Sequence, residues 1–445
     1  MRTTKVFWLS LILINIFLLP NTLPPLEIGD LRFEWQLGDI LIFATGFYLL
    51  IEILIRGRST YFVSGITKLD KIAFVLLGVN IFSSIVAVVR WSSSSLFIFG
   101  CLLKSIEPYI LYFFVRTKLR KEKEVSSIFQ ILILSTLILS LIGVIQILSV
   151  DVYKNIISFL FSHSRMLEEK GFTYFMSGGR ISSLFINANT FGDFILVIWP
   201  FIFIRQALQM GAINKLFFLV FTTLLFLLLL YTQSREAWIG FIFIFVYMLY
   251  VGLRYKISSS FKSNIFLIGI IFAIAIVINY STIYHRMIEY TFGGERFGFK
   301  YLYEVPDSQE RFILWEATLK ALPKSLFLGA GPIREDVKEF VPYYFITGGD
   351  PHNTFLRAFL ETGFLGFIVF LFFIKELLSF GKLQLLHPYN NYKFSIVAST
   401  IGLIFSGFVG DSFQTFEVIV PLFIFSALLE NVRKKGVSYE NSSYK

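Results

Sequence analysis

Long, uninterrupted apolar runs constrain this chain more than any other feature. A run of about 20 apolar residues crosses a bilayer as one helix, because every backbone donor and acceptor is then satisfied inside the segment. On that ~20-residue criterion about twelve segments qualify, near 5–21, 38–55, 72–89, 96–115, 126–150, 184–204, 216–232, 236–253, 264–281, 355–374, 394–410 and 417–432. The length of 445 residues would by itself admit about three soluble domains, but the runs overrule that division. With 56% hydrophobic and 16% charged residues, too few polar side chains remain to cover a water-facing surface of that size. The 54 phenylalanines suit lipid-facing and interfacial packing. The single cysteine, Cys101, sits inside an apolar run, which excludes a disulfide framework and a cysteine-based zinc site.

The basic start, Met1 to Lys5, leads into an apolar stretch from Val6 to Pro20. Asn21-Thr22-Leu23-Pro24-Pro25 offers no small-x-small cleavage site, so the stretch reads as an uncleaved first span. Lys and Arg in the loops set the orientation. With the N-terminus inside, the inner segments collect Arg56, Arg58, Lys68, Lys71, Arg116, Lys118, Arg120, Lys121, Lys123, Arg433, Lys434 and Lys435. The first outer loop, with Glu27, Asp30 and Glu34, is acidic. Both termini are therefore expected in the cytoplasm. The net charge of +10 reads as these positive loops; no basic segment interleaved with aromatics suggests nucleic acid as a partner.

Two outer segments, about 151–183 and 282–354, are too long to be mere connectors. In the second, Phe312, Trp315, Leu319 and Leu322 recur at helical spacing, with Arg311, Lys320 and Lys324 on other faces. That pattern fits a helix lying in the membrane interface, and equally a helix packed on the bundle. The expected fold is an all-α integral membrane protein of about 12 transmembrane helices, with a long extracytoplasmic loop carrying an interfacial helix. Its expected organisation is N-terminal spans over 1–150, a second membrane unit over 151–432 that includes the loop 282–354, and a tail over 433–445.

Chemistry concentrates on the outer side. Arg180 ends Ser177-Gly178-Gly179-Arg180, just before a span opening with Asn187, Asn189 and Asp193. Arg235 lies in Thr232-Gln233-Ser234-Arg235-Glu236, Arg311 begins the amphipathic segment, and His352 lies in Gly348-Gly349-Asp350-Pro351-His352-Asn353. Arginine near a bilayer is costly unless it faces water or meets an anion, and its planar fork suits phosphate. Snorkelling or a carboxylate partner explains any one of them equally well; three arginines and a histidine from separate loops are harder to explain that way. Lys104 and Glu107, inside the fourth span at i, i+3, are expected to pair with each other.

The order Gly179-Arg180, Asn187-x-Asn189, Ser234-Arg235, Arg311-x-x-x-Trp315, Gly329-x-Gly331, Pro351-His352-Asn353-Thr354-Phe355 and Glu361-x-Gly363-x-x-Gly366 resembles the O-antigen ligase and polymerase superfamily, over roughly residues 170–430. Its members attach O-antigen to lipid A–core, polymerise it, or glycosylate proteins as bacterial O-oligosaccharyltransferases. The resemblance implies a metal-independent, inverting glycosyltransferase of the bacterial cytoplasmic membrane, without cofactor, acting on its periplasmic side. The donor would be an undecaprenyl-diphosphate-linked glycan held among membrane lipid, and the acceptor a glycan, lipid A–core or a protein. Ligase is the favoured reading, then polymerase, then protein transferase; a polysaccharide flippase is the competing class, and would show an internal repeat and broken helices near the midplane.

The leaving diphosphate gains charge as the glycosidic bond breaks, and Arg180, Arg235 and Arg311 are the cations expected to stabilise it. His352 is the expected general base for the acceptor hydroxyl. A helix N-terminus and neighbouring arginines both disfavour imidazolium, so its pKa is expected below the ~6.5 reference. Asp350 is a rival base or an orienter, Asn353 is expected to cap the following helix, and Asn189 is a possible supporting residue. His163, His285 and His387 lie outside the matching motifs.

The orientation is directly testable. In a Cys101→Ser background, Phe340→Cys should react with an impermeant thiol reagent applied to intact cells; labelling only after permeabilisation would reverse the topology and the placement of every candidate residue.

Overall fold

A computed structural model describes residues 2–18, 26–28, 31–33, 36–56, 65–90, 95–119, 121–161, 179–185, 187–208, 212–254, 259–284, 307–332, 337, 340, 350–380 and 388–440. The chain is a bundle of helices: α1 (Arg2–Leu18), α2 (Leu37–Arg56), α3 (Lys68–Arg90), α4 (Ser95–Lys118), α5 (Glu122–Leu148), α6 (Val150–Leu160), α7 (Ala188–Leu208), α8 (Ala212–Tyr231), α9 (Arg235–Arg254), α10 (Ser259–Ile278), α11 (Tyr280–Tyr284), α12 (Asp307–Ser325), α13 (Thr354–Ser379), α14 (Pro388–Gly407) and α15 (Phe416–Glu440). Each expected apolar segment coincides with one of these helices.

Among the described residues eight helices, namely α2, α3, α4, α5, α8, α9, α10 and α13, contain stretches long and apolar enough to cross a membrane. The apolar parts of α1, α7 and α14 are shorter: Thr4–Leu18, Ala188–Ile204 and Tyr392–Gly407. The described residues are nearly all helical, as the all-α reading expects. The acidic loop after α1 contains a small antiparallel hairpin, Leu26–Ile28 against Leu31–Phe33, whose local ladder satisfies backbone groups that a loop would leave to water. His163, His285 and His387, the Ser177-Gly178 pair, and much of 282–354 lie outside the described residues.

The centre of the bundle is α7. It is apolar all round, and Phe191, Phe194 to Trp199 and Phe201 to Ile204 are buried on every face, as expected of a helix enclosed by others. It packs against α8, α9, α14 and α15. In lipid the apolar effect gives little net drive between helices, so close approach and polar contacts matter more. Gly240 of α9 meets the backbone of Gly402 on α14, where an added Cβ would lie 2.6 Å from the Gly402 carbonyl oxygen. Ser395 and Ser399 of α14 donate to the carbonyls of Pro200 and Val197 on α7, at 3.1 and 2.8 Å. Phe201 stacks on Phe425 of α15 with ring centroids 3.8 Å apart.

At the far end of α3, α4 and α15 a buried ionic cluster closes the bundle. Arg116 of α4 donates to both carboxylate oxygens of Asp70, at 3.0 and 3.1 Å, and to Asn431 of α15. Tyr112 donates to the same Asp70 at 2.8 Å, and Asp70 also accepts from the Thr67 backbone at 2.7 Å as part of a helix cap. Lys118 pairs with Glu52. Two cations counted above as loop charges are therefore spent inside the protein. Lys104 lies 3.7 Å from Glu107, the pairing expected at i, i+3, and it also reaches Asp39 of α2.

One span is broken. Gly363, inside α13, has φ 68° and ψ −176°, a conformation essentially confined to glycine. The break frees the carbonyls of Leu360 and Glu361, which accept from the backbone amides of Ala330 and Gly331 at 2.8 and 3.0 Å. Phe364 in turn donates to Leu326 at 2.7 Å, and Ser83 of α3 donates to Glu361. Gly329 and Gly331 both have positive φ, which the tight turn of this loop requires. Non-helical backbone at this depth is tolerated because protein, not lipid, covers it. The break also anchors α12, whose Leu314, Ala317, Thr318, Ala321 and Leu322 are buried while Phe312 and Leu319 stay exposed. Packing on the bundle through α13 and an exposed apolar edge thus coexist on one helix.

Gly363→Ala should accordingly destabilise the detergent-solubilised protein by about 1–3 kcal/mol or more, from backbone strain alone. The added Cβ would also lie 2.5 Å from the Phe327 carbonyl oxygen. A thermal midpoint equal to wild type would mean the loop does not dock there.

Candidate functional site

The candidate residues gather at one end of the bundle, where the starts of α7, α9, α13 and α15 meet the ends of α8 and α14. Three loops converge there, and each is strained. Ser183, Gln233 and His352 have positive φ (54°, 50° and 45°), and among the described residues they are the non-glycine residues that do. Such conformations persist only where the surroundings fix them.

The first loop carries Arg180. Its backbone is held from below by Gln146 of α5, whose side-chain oxygen accepts from Ser182 and Ser183 at 3.0 Å each. Tyr153 of α6 donates to the Ser183 carbonyl at 2.7 Å. The guanidinium then reaches across: Nε donates to the Thr232 carbonyl at 2.8 Å and Nη2 to Asn189. Arg180 thus reaches Asn189 at the start of α7, and its bond to Thr232 ties the first loop to the second. In the second loop Thr232 accepts from the Ser234 backbone at 3.2 Å, and α9 starts at Arg235, half-buried, with Glu236 buried directly after it.

The third loop carries His352 and is wrapped by two others. Asp350 accepts from the His352 backbone amide at 3.0 Å, and Trp315 of α12 donates to the Pro351 carbonyl at 2.7 Å. Asn353 caps α13 as expected, accepting from Phe355 and Leu356 at 3.0 Å each. The segment Phe408–Asp411, between α14 and a 3-10 turn at Ser412–Gln414, then collects almost everything. The Phe408 carbonyl accepts from Asn353 at 2.7 Å, the Val409 carbonyl from Arg311, and the Gly410 carbonyl from the Thr354 amide at 2.9 Å. The Asp411 carboxylate lies 3.5 Å from Nδ1 of His352 and 3.6 Å from the Arg357 guanidinium.

Arg357 is the residue that sequence reasoning missed most clearly. It lies 3.6 Å from Asp350 as well as from Asp411, and donates to Glu361 at 2.7 Å. An ionisable i, i+4 pair inside an apolar span was visible in the sequence and is by default a functional candidate. Asp411 and Glu236 were equally overlooked. Asp411 is an isolated acid between two spans, and Glu236 is shadowed by the arginine before it.

The expected low pKa of His352 is overturned. Burial does push the imidazolium down, but the hydrogen bond to Asp411 and the charges of Asp350 and Asp411 outweigh it. The net direction is above the ordinary histidine value, with Arg311 opposing weakly. With the Nδ1 proton directed at Asp411, Nε2 keeps its lone pair, and nearly half of the side chain, 45%, remains exposed.

Donor atoms of Asp350, His352 and Asp411 all lie within 4.8 Å of one another, a spacing that a cation could share. Arg357 already contacts both carboxylates, so a positive charge occupies that role. Beneath them Asp193 is buried and accepts from Ser406 at 2.6 Å, and Ser412 donates to that serine at 2.7 Å.

This end of the bundle thus presents arginines, a half-exposed histidine backed by a carboxylate, and strained loops. No individually curated protein matches the chain. The sequence model of the O-antigen ligase family matches residues 219–371, which include Arg235, Arg311, Asp350 and His352. That match points to a glycosyltransferase-type membrane enzyme that ligates or polymerises glycan, with a lipid-linked glycan donor. From residue 219 to residue 371 the chain is similar to the O-antigen ligase family, which agrees with the superfamily that its motifs resemble.

Proposed function

We propose that this protein transfers a glycan from undecaprenyl diphosphate to an acceptor hydroxyl on the outer side of the bacterial cytoplasmic membrane, as a ligase acting on lipid A–core. The observation that carries the reading is the His352 imidazole, half-exposed, backed by Asp411 and bordered by Arg311. The reaction is direct. The acceptor oxygen attacks the anomeric carbon as the bond to the diphosphate oxygen breaks, and the hydroxyl proton passes to Nε2 of His352. The configuration inverts, and the undecaprenyl diphosphate leaves with the bonding electron pair. Arg180, Arg235 and Arg311 would stabilise the charge that develops on it, already oriented before the reaction. Asp411 would hold the imidazole in the tautomer with Nε2 free, Asp350 would fix the strained loop, and Arg357 would balance both carboxylates. That balance supports a metal-independent route.

A flippase would also carry a broken helix. Here the carbonyls freed in α13 are occupied by the backbone of the Gly329–Gly331 loop instead of lining a passage, which favours the enzyme. Deletion of the gene separates the family's reactions: polymer stranded on its lipid carrier indicates ligase, and single repeat units on an otherwise decorated surface indicate polymerase.

Arg311→Lys and Arg235→Lys should each lose roughly 10²–10³-fold in transfer rate with normal membrane insertion, because a point charge does not replace a fork. Full activity in both would eliminate the arginine clamp. His352→Ala should slow transfer by about 10²–10⁴-fold while donor binding survives.

The pH profile tests the histidine and its partner together. A base must be neutral, so the rate should fall as pH drops through the His352 pKa, and that limb should lie above the position of an ordinary histidine. Asp411→Asn removes the hydrogen bond and charge that raise this pKa, so the limb should move to lower pH while the plateau rate falls. An unmoved limb would show that Asp411 does not act on His352.

A further inference from the structure

Glu236 has no part in the transfer described above, yet it sits in the middle of the charges that perform it. It is buried, 4% exposed, in the first turn of α9. Its carboxylate rests on Gly410: a Cβ added there would lie 1.9 Å from Oε2, so the glycine leaves the room that Glu236 fills. The residues on either side of Gly410 receive Arg311 and face His352 and Arg357. Glu236 lies within electrostatic reach of Arg311, Asp411, His352 and Arg180. Burial and the acids Asp411 and Asp193 work against a charge on Glu236, the cations Arg311, His352 and Arg180 favour it, and in a water-poor site these fields are weakly screened. Glu236 is also the wrong sign for an anion-binding site, since any diphosphate that enters must share those arginines with it.

We propose that Glu236 is the resident counter-anion of the arginine clamp, setting how tightly the site holds a diphosphate and allowing the diphosphate product to leave. The inference rests on the glycan-transfer reading and adds a residue that limits affinity instead of supplying it. Without donor, Glu236 balances Arg180 and Arg311. When a diphosphate is bound, Glu236 repels it, so the site grips the charge of the leaving group without trapping the product.

The experiment uses full-length protein in nanodiscs, with inorganic pyrophosphate as the probe, alongside steady-state transfer from a lipid-linked donor. Glu236→Gln keeps the shape and removes the charge. It should bind pyrophosphate at least about tenfold more tightly, a modest charge–charge repulsion relieved. In transfer assays KM for the donor and kcat should fall together, with product release limiting. Glu236→Ala, read in the same way, covers the case in which the glutamine variant fails to insert, and Glu236→Asp should stay near wild type. A residue that merely supported the fold would weaken binding when altered, so equal or weaker pyrophosphate binding in the neutral variants overturns the proposal. If the wild type does not bind pyrophosphate and Arg311→Lys changes nothing, the diphosphate reading itself fails, and this inference with it.

Discussion

Charged side chains buried at a membrane are stable only where each finds an opposite charge or a dipole, and in this protein that requirement is met largely by one short segment. Phe408, Val409 and Gly410 offer carbonyls to Asn353, Arg311 and Thr354, and Asp411 offers its carboxylate to His352 and Arg357. Without that strip of acceptors, two arginines and a histidine from three elements would have no common partner. The segment holds this position because α14 and α15, which flank it, both pack on the buried α7. Ser406 and Ser412, on either side of the segment, bond to each other, and Ser406 also bonds to Asp193 of α7.

Around that centre the fold relies on rigidity. α12 is fixed at one end by its loop at the broken α13 and on its side by Trp315 reaching the Pro351 carbonyl. The loop of Arg180 is held by Gln146 and Tyr153 from below. These supports explain how residues with positive φ persist in all three loops: the strain is local, on the order of 1–3 kcal/mol for each such residue, and the contacts that oppose it are many. A clamp whose arms are already placed need not reorganise when charge develops in the transition state. The same packing explains why Arg311 and His352 share one neighbourhood although they lie on different elements.

Much of this was legible in the residues. Runs of apolar side chains fixed the helices, and the turn at Gln233-Ser234 fell where expected. Asn353 was readable as a cap because a short polar side chain before an apolar run has few other uses. The arginines at the helix ends were readable as candidates because cations beside apolar runs need a reason. The pKa of His352 was read with the wrong sign. Its sequence neighbours include a helix start, whereas its spatial neighbours include Asp411, which lies beyond another helix, and the nearer carboxylates dominate.

The sequence by itself determined that the chain is a helical membrane protein, where its helices lie, and which residues at their ends carry charge, since these depend on local composition and on period. Only the tertiary structure decided which charges meet. The pairing of Asp411 with His352, the bridging by Arg357, the place of Glu236 against Gly410 and the seating of the glycine loop on the broken helix join positions far apart in the chain. Pair interactions of that kind fall off within a few ångströms, and so depend on how helices pack instead of on how residues follow one another.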